Sequence, residues 1–193
     1  YLNTNGCGDI CFINIMSSLL FNQTLECLYL SFNKITLSQI PENFMLIAKT
    51  NTTLKTLMLA HNRLSDNGIK ILMQMLKKFD ALEELDVSAN NIHSNGIADL
   101  CNAIQANMQI KSLNLSRNSA QSEGFVYIMN MLLNNQSLEV LDVSSNKLKL
   151  EGVPQEYELS VNKNTTLRKL LLGNNLLYPA GMKILMQMVD KWN

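Results

Sequence analysis

The chain repeats itself at two periods, and that double periodicity restricts its fold more than any other property. Segments that read as strand starts fall at Leu25, Leu54, Leu82, Ile110, Leu138 and Leu167, spaced 29, 28, 28, 28 and 29 residues apart. Shifting the sequence by 113 aligns residues 1–80 with 114–193 and makes 34 of those 80 positions identical, with KILMQM at Lys70–Met75 and again at Lys183–Met188. The longer period reads as a block of four short units used twice. A unit this short cannot close a core alone, so units must stack on one another.

Counting each unit from its strand start, apolar residues fill the first, fourth, sixth and eleventh places and Asn the ninth. A Gly follows six residues after the Asn, and a second Asn stands three residues before the next unit. Leu82, Leu85, Val87, Asn90, Ile92, Gly96, Leu100 and Asn107 show the pattern in full. Thr56, Met58 and Ala60 alternate with Leu57 and Leu59, which predicts a short strand. Gly68–Phe79 then carries Ile69, Leu72 and Leu76 at helical spacing, with Lys70, Lys77 and Lys78 on the other face. The row Asn5, Asn33, Asn62, Asn90, Asn118, Asn146 and Asn175 sits where the chain leaves each strand, and an amide there can both donate to and accept from buried backbone groups. Gly68, Gly96, Gly124, Gly152 and Gly181 are expected to mark helix entry, where a missing Cβ permits a tight turn. Cys11 and Gln39 take that place in two units. Pro41 and Pro154 are expected to delay the helix by one residue.

The spacing L-x-x-L-x-L-x-x-N-x-L, followed by Gly, resembles the leucine-rich repeat of the ribonuclease-inhibitor-like class along the whole chain. The resemblance implies an α/β leucine-rich-repeat solenoid: a curved arc with parallel β-strands on the concave face and helices on the convex face. It implies one domain over 1–193, with a partial repeat at 1–24 and repeats starting at 25, 54, 82, 110, 138 and 167. Tyr1 aligns with Asn114 in mid-strand, so the chain is expected to be a fragment of a longer protein.

Charge excludes little but points away from nucleic acid, since 16 basic and 16 acidic residues balance and are interleaved. Apolar runs fall far short of the roughly 20 residues that span a bilayer, so no membrane segment is expected. The histidines are His61 and His93, and His61 has no Ser, Cys or carboxylate partner at a spacing that suggests a nucleophile or general acid; the glycines belong to the repeat rather than to a phosphate loop. No catalytic residue, cofactor or metal is expected. Cys7, Cys11, Cys27 and Cys101 lie in different places of the unit, and the three residues between Cys7 and Cys11 do not match a metal knuckle. All four are read as free thiols, which suits a reducing, cytoplasmic compartment. The sequons at Asn22, Asn51, Asn114, Asn135 and Asn164 are read as repeat geometry rather than glycan sites.

Functional residues are expected where the second, third, fifth, seventh and eighth places project from the sheet. Second-place residues are Glu26, Lys55, Glu83, Lys111, Glu139 and Arg168, alternating in sign at every step. Strands about 4.8 Å apart would let each charge meet an opposite one on both sides, forming a cross-strand ladder. The fifth-place row reads Tyr1, Tyr29, Met58, Asp86, Asn114, Asp142 and Leu171, so one end is aromatic and apolar and the middle acidic. Phe32 and His61 at the eighth place add to the aromatic end, and seventh-place residues stay small. Tyr29, Phe32, Met58, His61, Glu84, Asp86 and Asp142 are therefore the candidate partner-binding residues. The expected function is a non-catalytic protein-interaction module that binds a protein partner on its concave face, as a monomer or within a larger assembly. The resemblance also admits a GTPase-activating regulator similar to Ran GTPase-activating proteins, or a bacterial effector or scaffold segment acting on host or assembly proteins, in the host cytoplasm if it is a delivered effector.

Overall fold

The computed structural model describes residues 1–39, 41–107, 109–149 and 164–189. Strand and helix alternate along it: α1 (Asp9–Leu19), β1 (Cys27–Tyr29), α2 (Glu42–Leu46), β2 (Thr56–Met58), α3 (Ser65–Leu76), β3 (Glu84–Asp86), α4 (Ser94–Asn107), β4 (Ser112–Asn114), α5 (Gln121–Asn134), β5 (Val140–Asp142), β6 (Lys169–Leu171) and α6 (Tyr178–Val189). The strands form one parallel sheet in the order β1-β2-β3-β4-β5-β6. Register follows the repeat, so Tyr29, Met58, Asp86, Asn114, Asp142 and Leu171 stand side by side. Residues 1–5 add a further rung: Leu2 N–H donates to Tyr29 C=O at 2.8 Å and Thr4 N–H to Ser31 C=O at 3.1 Å, as Leu30 does to Met58 and Phe32 to Ala60.

Parallel strands need returns, and the described helices lie on one side of the sheet, so among the described residues one sheet face is covered. The covered face holds the repeat's apolar places. Leu54, Leu57, Leu59 and Leu64 are all fully buried, and Leu82, Leu85, Val87 and Ile92 are nearly so. Helices close the core from the other side with Phe12 and Met16 of α1, Ile69 and Leu72 of α3, Ile97 and Leu100 of α4, and Phe125 and Ile128 of α5. No unit could exclude water from these residues alone.

The Asn row joins unit to unit. Asn118 Oδ1 accepts the backbone N–H of Asn90 (2.9 Å) and Ile92 (3.1 Å), while its Nδ2 donates to the carbonyls of Val87 (3.1 Å) and Leu115 (2.9 Å). Asn33, Asn62, Asn90, Asn146 and Asn175 repeat this bridging role. The residue before each Asn is left-handed: Thr4, Phe32, His61, Ala89, Arg117, Ser145 and Asn174 have φ between 52° and 60°. That conformation swings the chain off the sheet and delivers the Asn inward, and none of the seven is Gly.

Several expectations change. α3 begins at Ser65, not Gly68, and neither Gly68 nor Gly96 has a positive φ. These glycines allow close approach between units rather than a tight turn. A Cβ on Gly68 would strike the Thr36 carbonyl, and one on Gly96 would sit 2.7 Å from Asp66 Oδ1. Pro41 stands just before α2, a helix of only 5 residues. Pro154 and Gly152 lie outside the described residues.

Cys7 and Cys11 are bonded as a disulfide across a Cα separation of 5.5 Å, which corrects their reading as free thiols. Cys7 precedes the extended N-cap Gly8 and Cys11 lies in the first turn of α1, so the bond ties the helix to the segment that enters it. Cys27 and Cys101 remain free, Cys101 fully enclosed so that burial pushes its thiol pKa up. The cytoplasmic expectation loses the support it drew from free thiols, because disulfides persist in oxidising compartments. Among the described residues, no helix is long and apolar enough to cross a membrane.

Candidate protein-binding face

The face of the sheet opposite the helices carries the second, third, fifth, seventh and eighth places. Its first end is built of rings. Tyr1 stacks on Tyr29 with centroids 4.4 Å apart, and Phe32 stacks on His61 at 4.2 Å and 10°. Met58 is the strand neighbour of Tyr29, so Tyr29, Met58, Phe32 and His61 occupy two adjacent units. Stacking follows from the strict register: the left-handed residue before each Asn points the same way in every unit, and there Phe32 and His61 are neighbours. Phe32 is 56% exposed and Tyr1 93% exposed, so the rings present their surface to solvent. The sequence reading left Tyr1 out of the candidate set, although its place in the fifth-place row was the available signal. Desolvation raises the Tyr29 phenol pKa, with the negative charges available to Tyr1, Cys27 and Glu84 adding to it.

Beyond Met58 the same row turns acidic. Asp86 Oδ1 accepts the Ser88 N–H at 2.8 Å and its Oδ2 accepts from Asn114 Nδ2 at 3.2 Å. Asn114 and Asp142 take the Ser116 and Ser144 N–H groups in the same way, at 3.0 and 2.9 Å. Glu84 accepts from the Thr56 hydroxyl at 3.2 Å. The fifth-place acids thus satisfy seventh-place N–H groups that the ladder leaves unused, a role the sequence reading did not foresee. Asp86 and Asp142 are separated by one strand, with Asn114 between them.

The second-place charges meet in pairs rather than as a continuous ladder. Lys55 reaches Glu26 at 3.0 Å, Lys111 reaches Glu83 at 2.9 Å and Arg168 reaches Glu139 at 3.9 Å. Among the described residues, no ion pair within 4.0 Å bridges Lys55 to Glu83 or Lys111 to Glu139. One ammonium group pointing toward one neighbour cannot also reach the other, so alternation of sign yields pairs. A hydrogen bond from Lys55 to Glu26, together with the Glu26 charge, raises the lysine's pKa, with a smaller push from Glu83.

His93 lies away from this face: its N–H donates to Asp66 Oδ1 at 2.6 Å and its Nδ1 stands 3.7 Å from the same oxygen. Asp9 fills the same place two units earlier, accepting from the backbone of Thr36, Leu37 and Ser38 at 2.6 to 3.2 Å. Among the described residues no group of three or more His, Cys, Asp or Glu is placed to hold a metal ion. Asn51, Asn135 and Asn164 are buried, with amides spent on neighbouring carbonyls or hydroxyls, which agrees with reading these sequons as repeat geometry.

Residues 21–38, 50–73, 82–101 and 134–153 match a family model described as Leucine Rich repeat. No curated protein matches the chain in sequence. Among solved structures, one titled Leiomodin-1 Actin-Binding Site 2 (ABS2) is similar in fold, with a TM-score of 0.51 and 20% identity over 65% of this chain and 72% of that one. At that identity the likeness is one of fold. With the repeat spacing, the in-register parallel sheet and the Asn row, these matches identify the chain as a leucine-rich repeat protein with an α/β solenoid fold.

Proposed function

We propose that the chain is a non-catalytic protein-interaction module whose concave sheet face receives a protein partner at its aromatic end. One observation carries the reading: two stacked ring pairs, Tyr1–Tyr29 and Phe32–His61, stand exposed beside Met58 on a face that none of the described helices covers. Rings held in place by register lose little further entropy on binding, and Tyr, Phe and Met concentrate interface energy. Small seventh-place residues, Ser31, Ala60 and Ser88, keep the approach open. A contiguous exposed apolar patch of this kind marks a contact surface more often than a bare strand surface does.

The experiment is site-specific photocrosslinking in the source cell, with a benzophenone amino acid at Met58 on the sheet face or at Lys70 on the helix face. A partner that crosslinks from position 58 and not from 70 supports the reading. Crosslinks only from 70 overturn it. Actin is the first purified partner to titrate, chosen on the fold likeness to the leiomodin segment alone. Addition of candidate GTPases, with hydrolysis as the readout, separates simple binding from a GTPase-activating role.

A further inference from the structure

We propose that the occupant of the concave face is a basic amphipathic helix of the partner, lying across the strands. Its apolar stripe would rest on Tyr29, Phe32, Met58 and His61 and its lysines and arginines would stand over Glu84, Asp86 and Asp142. The inference rests on the concave-face reading and specifies its chemistry.

Charge complementarity is the first ground. The second-place acids Glu26, Glu83 and Glu139 each have a cation of their own within 4.0 Å, so that row is neutralised. Glu84, Asp86 and Asp142 do not: their bonded partners are a hydroxyl, backbone N–H groups and an amide, all neutral. The fold has therefore paired off the second-place acids and, among the described residues, left these third- and fifth-place acids without a cation within 4.0 Å. Arg117 stands at the eighth place, in the same row as Phe32 and His61.

Geometry is the second ground. The fifth-place row runs Tyr29, Met58, Asp86, Asn114, Asp142 in register. With strands about 4.8 Å apart, Asp86 lies ~10 Å and Asp142 ~19 Å from Tyr29 along the row. A helix rising 1.5 Å per residue places positions i and i+7 about 10.5 Å apart on one face. One apolar anchor at i, with cations near i+7 and i+14, matches the row. The sheet's N–H and C=O groups are already spent on neighbouring strands, so this face has no backbone groups to offer an extended peptide. A helix, whose own backbone bonds are internal, loses nothing there.

The test uses two synthetic helical peptides of about 18 residues, enough to cross five strands. One carries Leu at i, i+3 and i+4 with Lys at i+7 and i+14; the other has every Lys replaced by Glu. Each is titrated by fluorescence anisotropy into the parent chain, the Glu84→Gln/Asp142→Asn double variant, Arg117→Ala and Tyr29→Ala. Gln and Asn keep the accepting carbonyl, so local structure is preserved. The expected result is binding of the basic peptide at least about tenfold tighter than the acidic one at ~50 mM salt, where surface charges are weakly screened. The double variant should close that gap, Arg117→Ala should keep or widen it, and Tyr29→Ala should weaken the basic peptide. Equal binding of the two peptides, binding of neither, or a gap untouched by the double variant overturns the helix assignment. If the crosslink from position 58 persists in that case, the concave-face reading stands and only the identity of the occupant is wrong.

Discussion

Asn118 accepts the backbone N–H of Asn90 at 2.9 Å, one repeat away, so the residue that orders one turn is itself ordered by the next. Asn90 in its turn accepts from Leu64 N–H and donates to the carbonyls of Leu59 and Ser88, all inside the core. The leucines drive stacking; the Asn row fixes its register.

Asn90→Ala is therefore expected to cost about 1–3 kcal/mol, since it strands one buried N–H and two carbonyls. Leu85→Ala, which leaves a cavity beneath β3, should cost about 2–5 kcal/mol. Equilibrium urea unfolding measures both. A loss below ~0.5 kcal/mol for Asn90→Ala would mean that water replaces its bonds.

Gly68→Ala should destabilise by about 1–3 kcal/mol, because the new Cβ meets the Thr36 backbone carbonyl, which cannot rotate away as a flexible side chain could. Gly173→Ala is the control. Its Cβ would sit 3.7 Å from Ser144 Oγ, an ordinary contact, and a change within about 0.5 kcal/mol is expected. Thermal melts of the two variants side by side decide the matter, and similar losses would show that space is not what the conserved spacing of glycine supplies within this chain.

Ala89 holds φ 52° with a Cβ that disfavours it. Ala89→Gly removes a left-handed penalty of roughly 1–2 kcal/mol per residue and adds roughly 0.5–1 kcal/mol of chain entropy, for an expected gain of about 0.5–1 kcal/mol. A shift of the urea midpoint to higher concentration, at unchanged slope, is the readout. Destabilisation would mean that the Ala89 methyl group packs more tightly than its half-buried setting suggests.

Asp9 gives the N-terminal units a pH dependence. Burial pushes its carboxyl up, and the N–H groups of Thr36, Leu37 and Ser38 with the Thr36 hydroxyl outweigh it, leaving the pKa below the ordinary value. A depressed carboxylate contributes stability that is present above the unfolded pKa of about 3.9 and is lost as pH falls through the lower folded value. The protection factors of the Thr36, Leu37 and Ser38 amides, with the intrinsic pH dependence of exchange divided out, should therefore fall below about pH 4 in the parent and stay nearly flat with pH in Asp9→Asn. Parallel profiles for the two proteins would assign the acid sensitivity to another group.

The repeat, the strands and the Asn row were legible in the sequence because burial imposes them at fixed places: Leu57 and Asn62 cannot exchange types without exposing a hydrocarbon or burying an unpaired amide. The left-handed place was not legible. Thr4, Phe32, His61, Ala89, Arg117, Ser145 and Asn174 share a backbone conformation but no side-chain chemistry, so no residue pattern announces it. Alternating sign from Glu26 to Arg168 predicted a ladder, yet side-chain reach turned it into separate pairs. The disulfide escaped notice because Cys7 and Cys11 were compared with a metal knuckle, whereas the bond closes across the entry to α1, from before its N-cap to its first turn. Of the candidate face, the residues could be named from their places; the stacking of Phe32 on His61 and the neutral partners of Asp86 and Asp142 required coordinates.

The central claim, that the aromatic end of the concave face carries partner binding, is tested most directly by calorimetric titration of the partner crosslinked at Met58. Four variants are compared with the parent: Tyr29→Ala, Phe32→Ala, Ser144→Ala and Asn174→Ala. The account predicts that the two ring truncations each weaken binding by about 30-fold or more, as lost hot spots do, while the two distal changes stay close to the parent. Equal affinity for the parent, Tyr29→Ala and Phe32→Ala would contradict it and reduce the rings to a cover over the edge of the neighbouring repeat.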